Sequence, residues 1–140
     1  MTPAELAWEN EGGRLRRPAQ VRTRRVYDPP TEHDGARVLV DRLWPRGLGR
    51  ADARLDEWCR DVAPSTGLRR WYGHDPAKFA EFRRRYRAEL TTGDQRRALR
   101  HLAEVAARGP VTLLTASKDL PTSQATVLAE VLADCGGAPG

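Results

Sequence analysis

Apolar positions recur along this chain with two different spacings, and together they predict an α/β domain. Val38-Leu39-Val40 and the run from Val111 to Thr115 are short β-branched or leucine-rich segments without polar alternation. That pattern suits strands covered on both faces. Val21 to Tyr27 mixes β-formers with arginine and stops at Asp28-Pro29-Pro30, which predicts a third strand. Elsewhere the spacing is helical. Phe79, Phe82, Tyr86 and Leu90 fall on one stripe, as do Ala98, Leu99, Leu102, Val105 and Ala106. Leu128, Val131 and Leu132 mark the inner face of a final helix over Pro121 to Asp134. Leu55, Trp58 and Val62 predict a helix over Asp52 to Val62, and Leu68 to Tyr72 a further turn or two.

Turn residues separate these segments. Asp34-Gly35 reads as a turn, Pro45, Gly47 and Gly49 as a loop, and Pro64-Ser65-Thr66-Gly67 as a break. Asp75 followed by Pro76 is a helix start, Asp94 a cap for the next helix, and Gly109-Pro110 its end. The order strand, strand, helices, strand, helix predicts an α/β fold: a short, mainly parallel sheet flanked by helices in a single compact domain over residues 21–135. Residues 1–20 are polar and read as a mobile extension, although Thr2-Pro3-Ala4-Glu5 suits the start of a short helix through Trp8. Residues 136–140, Gly-Gly-Ala-Pro-Gly, read as a disordered tail.

Composition changes the picture in one respect. The 24 basic residues exceed the 19 acidic ones by 5, and only Lys78 and Lys118 are lysines. Guanidinium forks bind phosphate and carboxylate in a bidentate manner, so the bias fits anionic metabolites or nucleic acid. Acidic residues are interleaved throughout, however, and solvated helix faces account for much of the arginine. Cys59 and Cys135 lack CxxC spacing, and His33, His74 and His101 stand far apart, so neither a disulfide framework nor a metal motif is present. No Walker loop, dinucleotide fingerprint or nucleophile elbow occurs, which excludes the common ATPase, nicotinamide and serine-hydrolase signatures. No cofactor is implied. No membrane span and no signal-peptide core is visible, so the expectation is a soluble, cytoplasmic protein.

The stretch Val38-Leu-Val-Asp-Arg-Leu-Trp-Pro-Arg-Gly47 resembles the hallmark of the YeaO-like family, domain of unknown function 488. The likeness continues through Tyr27-Asp28-Pro29-Pro30, Leu55-Asp-Glu-Trp58, Ala63-Pro-Ser-Thr66 and Leu68-Arg-Arg-Trp71. It goes on through Gly73-His-Asp-Pro76, Phe82-Arg-Arg-Arg-Tyr86 and Gly109-Pro-Val-Thr-Leu-Leu114. The resemblance implies a compact bacterial α/β protein and no established reaction. One departure stands out. Family members usually carry an acidic pair and then His-Asn before the final helix, where this chain reads Lys118-Asp119-Leu120-Pro121-Thr122-Ser123-Gln124. If that histidine performs chemistry in relatives, this protein is altered there; if it only caps the helix, Thr or Ser can replace it.

Ligands of open α/β sheets collect beyond the carboxyl ends of the strands. One strand end delivers Asp41, Arg42, Trp44 and Arg46, and another delivers Thr115, Ser117, Lys118 and Asp119. Arg42 and Arg46 can clamp an anion with Lys118 in support, Ser117 can donate to it, and Trp44 can stack on a planar ligand. Asp41 and Asp119 are general-base candidates, and His74 a proton shuttle. Against these stand structural readings: an Asp–Arg pair holding the loop, Trp44 in the core, His74 at a helix start, and Cys59 as a buried thiol. Three functions follow. The first is a metal-free enzyme or binder of an anionic, phosphate-bearing or nucleotide-like molecule. The second is a nucleic-acid-binding module using the Arg83-Arg84-Arg85-Arg87 and Arg96-Arg97-Arg100 helix faces and the basic tail, and the third a regulatory or interaction protein with a vestigial site. Nothing in the pattern fixes an oligomeric state.

Overall fold

The computed structural model describes residues 20–137, with side chains described through Asp134. The expected extension over residues 1–20, including the helix through Trp8, lies outside the described residues except for Gln20, as do residues 138–140 and the side chain of Cys135. Four strands form one sheet: β1 (Val21–Arg25), β2 (Ala36–Leu39), β3 (Glu57–Trp58) and β4 (Val111–Thr115). Their spatial order is β1-β4-β2-β3 and every pairing is parallel. The predicted α/β class with a short parallel sheet is therefore the observed one. β4 lies in the interior of the sheet with all five residues buried, and Val38, Leu39 and Val40 are buried beside it. Runs without alternation belong to such interior strands, because both faces lose contact with water.

The helices are α1 (Arg50–Ala53), α2 (Thr66–Tyr72), α3 (Phe79–Glu89), α4 (Gly93–Arg108) and α5 (Gln124–Gly137). The predicted stripe of α3 is buried at Phe82 and Tyr86, continues to Leu90, and joins Leu102 and Ala106 of α4 and Leu128 and Leu132 of α5 in the main core. Val38, Val40, Val111 and Leu113 supply the sheet side of that core. The opposite face is covered differently. There Val26, Leu39 and Leu114 pack against Trp44, Leu48, Leu55, Trp58 and Ala116, so much of that layer comes from the segment between β2 and β3.

That segment contains the main correction to the sequence reading. A helix over Asp52 to Val62 does not form. α1 ends after one turn at Arg54, which adopts φ 51 and ψ 48. The Asp56 amide then donates to Arg37 O and the Cys59 amide to Leu39 O, and these bonds place Glu57-Trp58 in the sheet as β3. Leu55 and Trp58 enter the smaller core while Val62 enters the main one, so their helical spacing is a coincidence of three residues facing two cores. Two boundaries also shift. Thr92, not Asp94, occupies the position before α4, and Asp94 pairs with Arg97 in its first turn. Leu120–Thr122 form a 3₁₀ turn that separates β4 from α5.

The amino-end side of the sheet is closed by a buried ion pair. Arg37 Nη1 lies 2.6 Å from Asp34 Oδ2, with side chains 6% and 2% exposed. Arg37 also donates to the Arg54 and Ala53 carbonyls, and Thr31 and Arg24 donate to Asp34. Burial alone pushes the Asp34 carboxyl up, but the donors from Thr31, Arg37 and Arg24 outweigh it and hold the group well below the usual carboxylate range.

Candidate functional site

At the carboxyl end, the last ladder bonds run from the Val40 amide to Leu114 O and from the Val26 amide to Thr115 O. β2 and β4 thus finish side by side, and Asp41 follows directly after Val40. Its carboxylate accepts from Thr115 Oγ1 at 2.7 Å, from the Ala116 amide at 2.8 Å and from Gln124 Nε2 at 2.5 Å. Its carbonyl accepts from the Trp58 indole at 2.8 Å. One aspartate therefore joins β2 to β4, β3 and the first residue of α5. Burial pushes the Asp41 carboxyl above its ordinary value, against the opposing pull of the Ala116 and Thr115 donors and of the charges on Arg69 and His74.

Those two residues come from α2 and the turn after it. Ser65 caps α2 by accepting from the Leu68 amide, and Glu89 grips Ser65 through both its amide and its hydroxyl. Arg69 sits in the last turn, and its Nε is shut off from solvent without a hydrogen-bond partner among the described residues. Gly73 then turns left-handed and His74 follows it at φ 57, a conformation uncommon for a residue with a Cβ. The His74 ring lies 6.2 Å from the Tyr72 ring. Tyr72 donates its hydroxyl to Thr122 O at 2.7 Å, and burial, with Asp119 and Asp75 nearby, pushes the phenol up.

The residues singled out from sequence divide into three groups. Asp41 and His74 lie near enough for the imidazole to act on the Asp41 carboxyl. Asp119 lies beside Tyr72, is exposed, and accepts from Thr122 Oγ1 at 2.9 Å. Arg42, Arg46 and Lys118 are exposed on the rim, and none forms a salt bridge among the described residues. Ser117 holds the loop by backbone bonds, donating to Thr115 Oγ1 and accepting from Arg25 Nε. Trp44 is turned into the smaller core, donates to Leu48 O at 2.7 Å and meets Trp58 edge-on at 5.3 Å. Cys59 is buried, and its thiol is pushed up to about 12 by burial and by Glu57 and Asp61.

Sequence reasoning missed Arg69, Tyr72 and Gln124. Arg69 and Tyr72 lie in or beside the Leu68-Arg-Arg-Trp71 motif, which carries no chemistry of its own until α2 is folded over the sheet. At Thr122-Ser123 both hydroxyls donate backward, Thr122 to Asp119 and Ser123 to Leu120 O at 2.8 Å. Among the described residues no group of His, Cys, Asp and Glu is placed to hold a metal, and no helix is long and apolar enough to cross a membrane.

Each arginine of α3 has a carboxylate partner, with Glu81 serving two of them. Arg84 and Arg85 pair with Glu81, Arg83 with Glu130 at 2.6 Å, and Arg87 with Asp134 at 3.1 Å.

Comparison with known proteins places this chain in a family. Residues 20–136 match the family model described as the inactive DUF488-N3 subclade. The uncharacterized protein Rv3073c of Mycobacterium tuberculosis is 46% identical over 116 residues, spanning 83% of this chain and 96% of the relative. The uncharacterized protein YeaO of Escherichia coli is 43% identical over 112 residues, spanning 80% and 96%. No solved structure is significantly similar to this chain.

Proposed function

We propose, from the premise that this chain belongs to the YeaO-like DUF488 family, that it binds an anionic small molecule at the carboxyl end of the sheet without transforming it. The observation that carries the reading is Arg69. A shielded guanidinium N–H without an acceptor costs about 1–3 kcal/mol, and an anion seated beside it would recover that energy. Asp41 is not its acceptor: Arg69 Nε has no partner among the described residues, and the Asp41 carboxylate accepts from Thr115, Ala116 and Gln124 instead. His74 adds a second donor on the same side, held there by a left-handed backbone that a purely connecting turn does not require. Arg42, Arg46 and Lys118 supply positive charge on the rim. A phosphate-bearing or nucleotide-like ligand fits this arrangement of forks and donors.

Absence of turnover is supported by two further points. The Asp41 carboxylate is held by three donors from β4 and α5, which fits a structural tie better than a general base. The matching subclade is described as inactive. The nucleic-acid reading receives less support, since the α3 arginines behind it are paired with Glu81, Glu130 and Asp134 and Arg97 with Asp94, although Arg96 and Arg100 form no ion pair among the described residues.

Calorimetric titration with orthophosphate and with a nucleoside monophosphate tests the reading. Wild-type protein is expected to bind at least one of them, and Arg69→Gln to weaken that binding about tenfold. Phosphorus NMR of the incubated ligand is expected to show no product. Failure of the wild type to bind either anion at millimolar concentration would sink the proposal.

A further inference from the structure

Beside Asp41 lies a second group of cations that the Arg69 crevice does not use. Arg50 opens α1, and its guanidinium carbon stands 4.6 Å from the centre of the Trp44 ring and 5.8 Å from that of Trp58. Arg60, in the 3₁₀ turn after β3, stands 4.9 Å from the same Trp58 ring. Trp44 and Trp58 are themselves fixed, by their edge-on contact and by indole bonds to Leu48 O and Asp41 O. Two guanidiniums are thus braced on two indoles, both within 5.8 Å of the Trp58 ring centre.

Other cations in the molecule also stack on rings, yet each of those has a polar partner as well. Arg85 over Trp71 is bound to Glu81, Lys78 over Trp71 donates to Trp71 O, and Arg25 over Tyr27 donates to Ser117 O. Arg50 and Arg60 differ: among the described residues neither side chain makes a hydrogen bond or a salt bridge. No carboxylate pairs directly with either of them among the described residues. Asp56 is taken by the Arg37 amide and Glu57 by His101, while Asp52 and Asp61 form no ion pair among the described residues. Bracing by an indole removes much of the side-chain entropy that binding otherwise costs, and leaves the N–H edge of the fork free.

We propose that Arg50 and Arg60, braced on Trp44 and Trp58, form a subsite for a chain of linked phosphates. Two fixed forks beside one ring favour a ligand carrying several negative groups on one short chain over a single orthophosphate. The guanidiniums cover indole faces, so recognition falls on phosphate rather than on a stacked base. The subsite deepens the anion-binding reading of the neighbouring crevice, rests on it for the ligand class, and can fail separately from it. Its source is either free polyphosphate or the phosphate tail of a nucleotide.

Titration of the full chain with inorganic tripolyphosphate, orthophosphate, adenosine triphosphate and a single-stranded oligothymidylate tests this, with tryptophan fluorescence as a second readout. Tripolyphosphate is expected to bind about tenfold more tightly than orthophosphate, and the Arg50→Gln/Arg60→Gln variant to lose that preference. Arg69→Gln is expected to weaken orthophosphate but keep the preference, which separates the two sites. Should the double glutamine variant not fold, Arg50→Lys/Arg60→Lys retains the charge without the fork and is expected to lose part of the preference. Triphosphate affinity equal to that of tripolyphosphate assigns recognition to the phosphates alone, and a higher affinity assigns the natural source to a nucleotide. Equal binding of tripolyphosphate and orthophosphate, an unchanged preference in the double variant, or tighter binding of the oligonucleotide than of tripolyphosphate would each overturn the proposal.

Discussion

Gln124 Nε2 donates to Asp41 Oδ1 at 2.5 Å, tying the first residue of α5 to the end of β2 across 83 positions of sequence. The same carboxylate holds the Ala116 amide and the Thr115 hydroxyl, so the mouth of the crevice is set by one side chain. Asp41→Ala leaves these donors without their acceptor and is expected to cost about 2 kcal/mol. Urea unfolding at neutral pH measures it.

Asp41 also carries a pH signature. Its folded carboxyl titrates above the ordinary value of 3.8, so its contribution is fully present below that pH and is lost as pH rises through the folded value. Relative to Asp41→Asn, the wild type is expected to lose stability on going upward from about pH 4. A constant difference between the two proteins from about pH 3.5 to about pH 7 would contradict the assignment.

Asp34 behaves in the opposite sense. Its folded carboxyl titrates below 3.8, so its stabilisation is present above that pH and is lost as pH falls through the folded value. Asp34→Ala strands the buried Arg37 guanidinium and is expected to cost about 3–5 kcal/mol at neutral pH. It should also flatten the acid limb of the stability profile, as read by denaturant midpoints.

Gly35 and Gly47 both have positive φ, at +63 and +71, but only Gly35 is crowded. A Cβ there would meet Pro110 O at 2.1 Å, whereas nothing lies within 4 Å at Gly47. Gly47→Ala is expected to cost about 1 kcal/mol, the strain of a left-handed residue. Gly35→Ala should cost clearly more, because the β4 entrance must shift. Comparing the two melting temperatures checks this.

The rim separates by role. Arg42→Ala and Arg46→Ala are expected to change stability by no more than about 0.5 kcal/mol while weakening anion binding. Trp44→Ala removes a ring from the smaller core and should cost about 3 kcal/mol. Loss of binding without loss of stability in Trp44→Ala would instead assign that indole to the ligand.

Consecutive residues were enough to place the strands β2 and β4, the apolar stripes of α3 and α4, and the segment where the chemistry-bearing residues gather. Those features are local: a run of buried β-formers or a helical stripe is written in neighbouring positions. Asp41 was legible for the same reason, because a polar residue directly after a buried strand must emerge at the sheet's edge. The strand at Glu57-Trp58 was not, since two ladder bonds to β2 override the helical spacing of Leu55, Trp58 and Val62. Folding in three dimensions also turned Trp44 inward, brought Arg69 and Gln124 to Asp41, and left Arg50 and Arg60 braced without a polar partner among the described residues. Contacts between residues tens of positions apart depend on how helices cross over the sheet. No local periodicity encodes that crossing.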